Sequence, residues 1–338
     1  MVGVVAGCGE RGGGTANATA AANANAVATA TATAVGGVLP NRARQQADLG
    51  NAATATERVL GGAPIATLRV VRGAMVRRGT FEVTLAEGEG LRAATLELAL
   101  VGDPVGYRRA LAFYRLARGI GATVVPITAL RRIGAGELAA VAGSQEALAL
   151  VGEARVQNDG TVDALLATHG AVSAGSPWEM SGAVPIDPEH GREAAGWERW
   201  SWSATPAPGE DSGLLRGYLE MLALDYLSGN GARRGALRVG RALVLADNAS
   251  AFPPRPDGPS LDRLLRRLRA AQRFPRGLRD GLLAFDRERA AAAFAEGGFD
   301  TWLLSPRTRL ELDERRAALL TLIEARIGER GADAALSL

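Results

Sequence analysis

The chain has 338 residues, 47% of them apolar, enough for the core of one large domain or two small ones. A net charge of +3 is mild for that length and leaves no concentrated basic surface for nucleic acid. All 39 basic residues are arginine, so chemistry that relies on a compact lysine ammonium is excluded as well.

Residues 1–8 end in Val5-Ala-Gly-Cys8, which resembles the lipobox of bacterial lipoproteins. The resemblance implies a diacylated Cys8 and a place in the bacterial cell envelope, lipid-anchored or secreted. Small residues precede the lone cysteine and a flexible polar stretch follows it. The leading segment is short and lacks a basic residue, so a start placed too late and a chance match are the two alternatives. No run approaches the ~18 apolar residues needed to span a bilayer, and membrane contact is expected through the lipid alone. Residues 9–63 are an Ala/Thr/Asn/Gly tract without an aromatic side chain, expected to be a disordered tether with a loose helix between Asn41 and Leu60.

From Ile65 the pattern changes. Ile65-Ala-Thr-Leu-Arg-Val-Val, Gly79-Thr-Phe-Glu-Val-Thr-Leu and Ala94-Thr-Leu-Glu-Leu-Ala-Leu alternate and are punctuated by glycine, which predicts three or four antiparallel strands. Leu111, Tyr114 and Leu116 then predict a helix over Tyr107 to Ile120, closed by Gly119 and Gly121. No Asp or Glu occurs between Asp103 and Glu137. Asn158-Asp-Gly-Thr reads as a turn between strands. His169 and His190 are too few and too isolated for a metal cluster or a nucleophilic triad. Trp178, Trp197, Trp200 and Trp202 are expected to pack in the core and between lobes, with a partner-binding surface as the alternative.

The stretch Met221 to Phe252 organises the rest. Leu215, Leu219, Leu222 and Tyr226 recur at helical spacing, Gly229-Asn-Gly231 supplies a left-handed exit, and Arg241-Ala-Leu-Val-Leu-Ala predicts a strand that delivers Asp247 at its end. A carboxylate there suits a metal or phosphate site. Beyond the Pro-rich loop Pro253-Pro-Arg-Pro-Asp-Gly-Pro, Ser260 is expected to open a helix with an outward face of Arg263, Arg266, Arg267 and Arg269. That face is solvated or meets an acidic partner or anionic head groups. Further helices are predicted over Arg276 to Phe294 and from Asp313 to about Glu329.

The frame Asp225-Tyr-Leu-Ser-Gly-Asn230, a loop, then Asp247-Asn-Ala-Ser-Ala-Phe252 resembles the catalytic and metal loops of the four-jointed and Golgi casein kinase family of secretory-pathway kinases. Tyr114 to Pro126 is similar to that family's N-lobe helix and following strand, Asn158 to Val162 to its mid-chain turn, and Arg315 to Leu338 to the closing helix of bacterial members. The resemblance implies an α+β, two-lobed protein-kinase-like fold: a small antiparallel β lobe over 64–156 and a larger, mainly helical lobe over 157–338. It also implies site positions. The catalytic Asp falls on Ala232, its following Arg on Arg233, the metal Asn on Arg238, the metal Asp on Asp247 and the helix Glu on Ala110. The strand residues Thr95 to Ala99, where the nucleotide lysine belongs, include no cation.

These losses point to a catalytically impaired kinase-like envelope lipoprotein that acts by binding a partner or ligand and needs no cofactor. An Arg238–Asp247 contact is expected to take the metal's place. The alternative is an active atypical kinase or nucleotidyltransferase that uses ATP with Mg or Mn, with Asp225 or Asp211 as relocated base and Arg233 or Arg234 supplying phosphate charge. An envelope structural lipoprotein without a pocket is a third option.

Overall fold

The computed structural model describes residues 54–71, 79–171, 182–231, 233, 235–295 and 303–338. Cys8, most of the expected tether, Trp178, Ala232 and Arg234 lie outside the described residues.

Residues 54–62 form a helix, α1, with Thr56 and Leu60 buried. The low-complexity tract assigned to the tether therefore ends earlier than its composition suggests. Its last turns carry Glu57, which accepts a hydrogen bond from the Tyr114 hydroxyl and pairs with Arg118 at 3.3 Å. Three strands follow, β1 (Ile65–Val70), β2 (Thr80–Glu87) and β3 (Gly90–Leu98), each antiparallel to its neighbour. Their alternation buries Leu68, Phe81, Val83, Leu85, Ala94 and Leu96 on one face.

Helix α2 (Gly106–Gly119) leads to β4 (Pro126–Gly134), the short helices α3 (Ala135–Ala140) and α4 (Gln145–Gly152), and β5 (Thr161–Ala171). The turn before β5 is held by Asp159, whose carboxylate accepts from the backbone N–H of Thr161 at 3.0 Å, with Gly160 at φ 79°. The five strands form one sheet in the order β1-β2-β3-β5-β4, with all neighbours antiparallel. β5, which follows the expected lobe boundary at 156/157, lies in this sheet between β3 and β4.

The second part is mainly helical. A three-stranded sheet of β6 (Val184–Ile186), β7 (Ala236–Val239) and β8 (Ala242–Leu245) is surrounded by α5 (Arg192–Ser201), α6 (Ser212–Ser228) and α7 (Gly258–Ala270). Helices α8 (Arg276–Ala284), α9 (Arg287–Phe294), α10 (Pro306–Arg330) and α11 (Ala332–Ala335) follow. The single helix expected over Arg276 to Phe294 is two, because Asp286 stops one and caps the next by accepting from the N–H of Arg289. Helix α7 opens two residues before Ser260, capped by Asp257. Helix α10 begins at Pro306, after a Ser305 cap, rather than at Asp313.

Helix α6 is the axis. Its residues from Tyr218 to Ser228 are buried on every side, as expected of a helix apolar around its circumference. The loop between α2 and β4 is seated on this axis: Glu220 of α6 accepts from the Thr123 N–H at 2.9 Å, and the Leu245 N–H donates to the Val124 carbonyl at 2.8 Å. Ile120, just beyond α2, meets α8 so closely that a Cβ on Gly281 would lie 2.0 Å from the Ile120 carbonyl oxygen.

Candidate functional site

Helix α6 ends as its sequence predicts. Gly229 adopts φ 72° and ends it, so that the chain turns sharply through Asn230 and Gly231. The turn returns toward the last residues of α6. The side chains of Asp225 and Arg233 are each 3% exposed and form a buried, two-pronged ion pair. Nε of Arg233 donates to both carboxylate oxygens, at 2.8 and 2.9 Å, and Nη2 donates to Oδ1 at 2.6 Å. Asn230 adds a bond to Oδ1 at 3.2 Å. Burial pushes the Asp225 carboxyl up, and the guanidinium and amide oppose that push.

The remaining donors of Arg233 point the other way. Nη1 reaches the Ala246 carbonyl at 3.1 Å and the Asn248 side-chain oxygen at 3.0 Å. The guanidinium lies 5.1 Å from the centroid of the Phe113 ring on α2, a cation–π contact. One side chain thus joins the end of α6, the segment after β8 and the helix of the small lobe. Gly235 makes the approach possible, since a Cβ there would lie 2.8 Å from the Ala246 carbonyl oxygen.

Asp247 follows β8 with φ 49°, a left-handed conformation rarely taken outside glycine and more tolerable for Asp than for most residues. Its Oδ1 is buried and has no hydrogen-bond partner among the described residues. Arg238 is not that partner. It sits in β7, and its Nε donates to Glu193 of α5 at 3.0 Å. The expected Arg238–Asp247 contact is corrected accordingly: α5 brings an acid to Arg238, and Asp247 turns away beyond the hairpin.

The other candidates are also accounted for. Asp211 caps α6 through the N–H groups of Gly213 and Leu214 and pairs with Arg241. Asp225 and Arg233 are bonded to each other. Ala110 is buried on α2, which carries no acid, and the β3 segment Thr95 to Leu98 carries Glu97 and no cation. Trp197 is buried against Tyr218, with ring centroids 6.0 Å apart, while Trp202 is 50% exposed. No group of three or more His, Cys, Asp and Glu able to hold a metal occurs among the described residues.

Two spaces flank the region. Beside Asp225, Asn230 and Gly231, against α7, about 20 Å³ is open, room for a single water. A cavity of about 670 Å³ lies on the outer side of α2, lined by Leu111, Tyr114, Arg115, Thr128 and Ala293 among others. Sequence reading did not find this cavity, because its walls come from α1, α2, β4 and α9, which no local pattern brings together.

The alternative reading calls for a metal with a nucleotide, and the donor set tests it. The orphaned Oδ1 of Asp247 fits one metal contact. The position expected to give a second ligand is an arginine occupied by Glu193, and the Asn248 oxygen is occupied by Arg233. Among the described residues a metal here would have one free protein oxygen and would depend on substrate phosphates for the rest.

No protein-family model matches the chain, and no curated protein does. Solved structures do. The Golgi casein kinase with Mn/ADP bound superposes with a TM-score of 0.56 at 14% identity, over 83% of this chain and 78% of that one. A second structure of the Golgi casein kinase gives 0.55 at 14%, over 85% and 79%. The hydra Fam20 structure with sugar gives 0.53 at 16%, over 82% and 89%. The chain has the fold of these secretory-pathway kinases.

Proposed function

We propose that the chain is a member of the four-jointed and Golgi casein kinase family that binds a partner or ligand and does not transfer phosphate. It would act in the bacterial cell envelope, held by a lipid on Cys8 and the tract that follows. The observation that carries this reading is the bonding of Arg233. Phosphoryl transfer needs cations that face the phosphates and a base near the acceptor. Here the cation of the turn is saturated by Asp225, the Ala246 carbonyl and Asn248. The family's base position is Ala232, and α2 carries no acid to orient a phosphate-binding cation. The Arg233–Phe113 contact ties the same guanidinium to the small-lobe helix, which supports its use as a structural joint.

The orphaned oxygen of Asp247 favours a second reading, an active atypical kinase or nucleotidyltransferase that binds ATP with Mg or Mn. Calorimetric titration of the full chain with ADP, with and without Mn²⁺, separates the two. The first reading predicts no metal-dependent binding and no change on Asp247→Ala. Metal-dependent binding that Asp247→Ala abolishes would support the second.

A further inference from the structure

Helices α5 and α7 both pack on α6 and are tied to each other by Arg267 to Glu198 at 3.3 Å and by Arg263 to Glu189, just ahead of α5, at 2.6 Å. A third acid, Glu193, faces the other way and holds Arg238. These three acids are thus drawn into ion pairs along the flanks of the two helices. Core positions Ala194, Trp197 and Ser201 of α5 and Ser260, Leu264 and Leu268 of α7 define the inward faces. Opposite them, at helical spacing, stand Arg192, Arg199 and the half-exposed Trp202 beside Arg266 and Arg269. All four arginines are exposed, and among the described residues no ion pair or side-chain hydrogen bond engages them. Asp262 is the one exposed acid on the outward side of α7.

We propose that this α5–α7 face docks on an anionic lipid surface. Four unpaired guanidinium groups against one carboxylate give the charge complementarity, and each basic side chain near such a surface adds to the attraction. The indole of Trp202 selects a lipid surface over an acidic protein or nucleic acid, because a half-exposed tryptophan beside a cationic band suits the boundary between head groups and acyl chains. The proposal is independent of whether the fold transfers phosphate.

The test is co-sedimentation of the full, unlipidated chain with vesicles of phosphatidylcholine containing 30% phosphatidylglycerol, and with vesicles of phosphatidylcholine alone. Binding is expected to the anionic vesicles only and to weaken sharply between ~0.05 and ~0.5 M NaCl, as charge screening requires. The triple variant Arg199→Glu, Arg266→Glu, Arg269→Glu is expected to lose more than about 100-fold in partitioning. Its thermal midpoint stays close to that of the parent chain, because none of the three exposed side chains makes an ion pair or hydrogen bond among the described residues. Quenching of tryptophan emission by brominated lipid is expected in the parent and abolished by Trp202→Phe. Equal binding to neutral vesicles, no binding to anionic vesicles at low salt, or full binding by the triple variant would each overturn the proposal.

Discussion

Arg233 grips Asp225 through both carboxylate oxygens in a space almost closed to water, four residues beyond Gly229, which opens the turn. The pair is the hub between α6, the segment after β8 and α2. Removing the cation alone would strand a buried carboxylate. Arg233→Met is therefore expected to cost about 3–5 kcal/mol in urea denaturation. The double variant Asp225→Leu, Arg233→Met should recover most of that loss, since it removes both charges together. Equal losses for single and double variants would mean that the arginine acts through packing.

The Arg238–Glu193 pair gives the contrast. Both side chains are substantially exposed, 30% and 41%, so solvent screens them. A double-mutant cycle to alanine should return a coupling of no more than about 1 kcal/mol. A metal affinity gained on Arg238→Asn would show that this position faces Asp247 after all.

Helix α8 fixes α2 by contact with the backbone. Gly281→Ala would place a methyl group against the Ile120 carbonyl, and backbone cannot yield as a flexible side chain can. The expected loss is at least about 1–3 kcal/mol, read from chemical denaturation. Gly328→Ala in α10, where a Cβ would meet nothing within 4 Å, gives the comparison for helix propensity alone.

Glu220 predicts a pH dependence of stability. Burial raises its carboxyl from 4.5 to about 7, against the bond from Thr123 and the charge of Arg216. The folded chain then holds a proton that the unfolded chain releases between those two values. Stability from this group is present in full below about pH 4.5, falls as pH rises, and is lost above about pH 7. The size is about 3 kcal/mol. Glu220→Gln keeps an acceptor for Thr123 and should flatten that part of the profile. A parallel profile for the variant would contradict the assignment.

Much of this was legible in local patterns. The alternation of β1 to β3, the glycine exit from α6 and the short apolar run of β8 follow from side-chain period and backbone freedom, which need no knowledge of the fold. The resemblance in the loops around Asp225 and Asp247 pointed to the kinase-like architecture that the solved structures match. Features set by distant partners were not legible. Arg238 and Arg233 are equally polar letters five residues apart, and only the placement of α5 and α6 gives one to Glu193 and the other to Asp225. The sheet membership of β5 depends on β3 and β4, about 30 to 70 residues earlier in the chain. Asp286 is a helix cap hidden inside a continuous apolar pattern.

The most direct measurement is transfer of label from γ-labelled ATP, with Mn²⁺ or Mg²⁺, to the full chain itself and to casein as a general acceptor. The account predicts incorporation no greater than that of the Asp247→Ala variant under every condition. Transfer well above that background, abolished by Asp247→Ala, would contradict it and make the lone buried oxygen of Asp247 a working metal ligand.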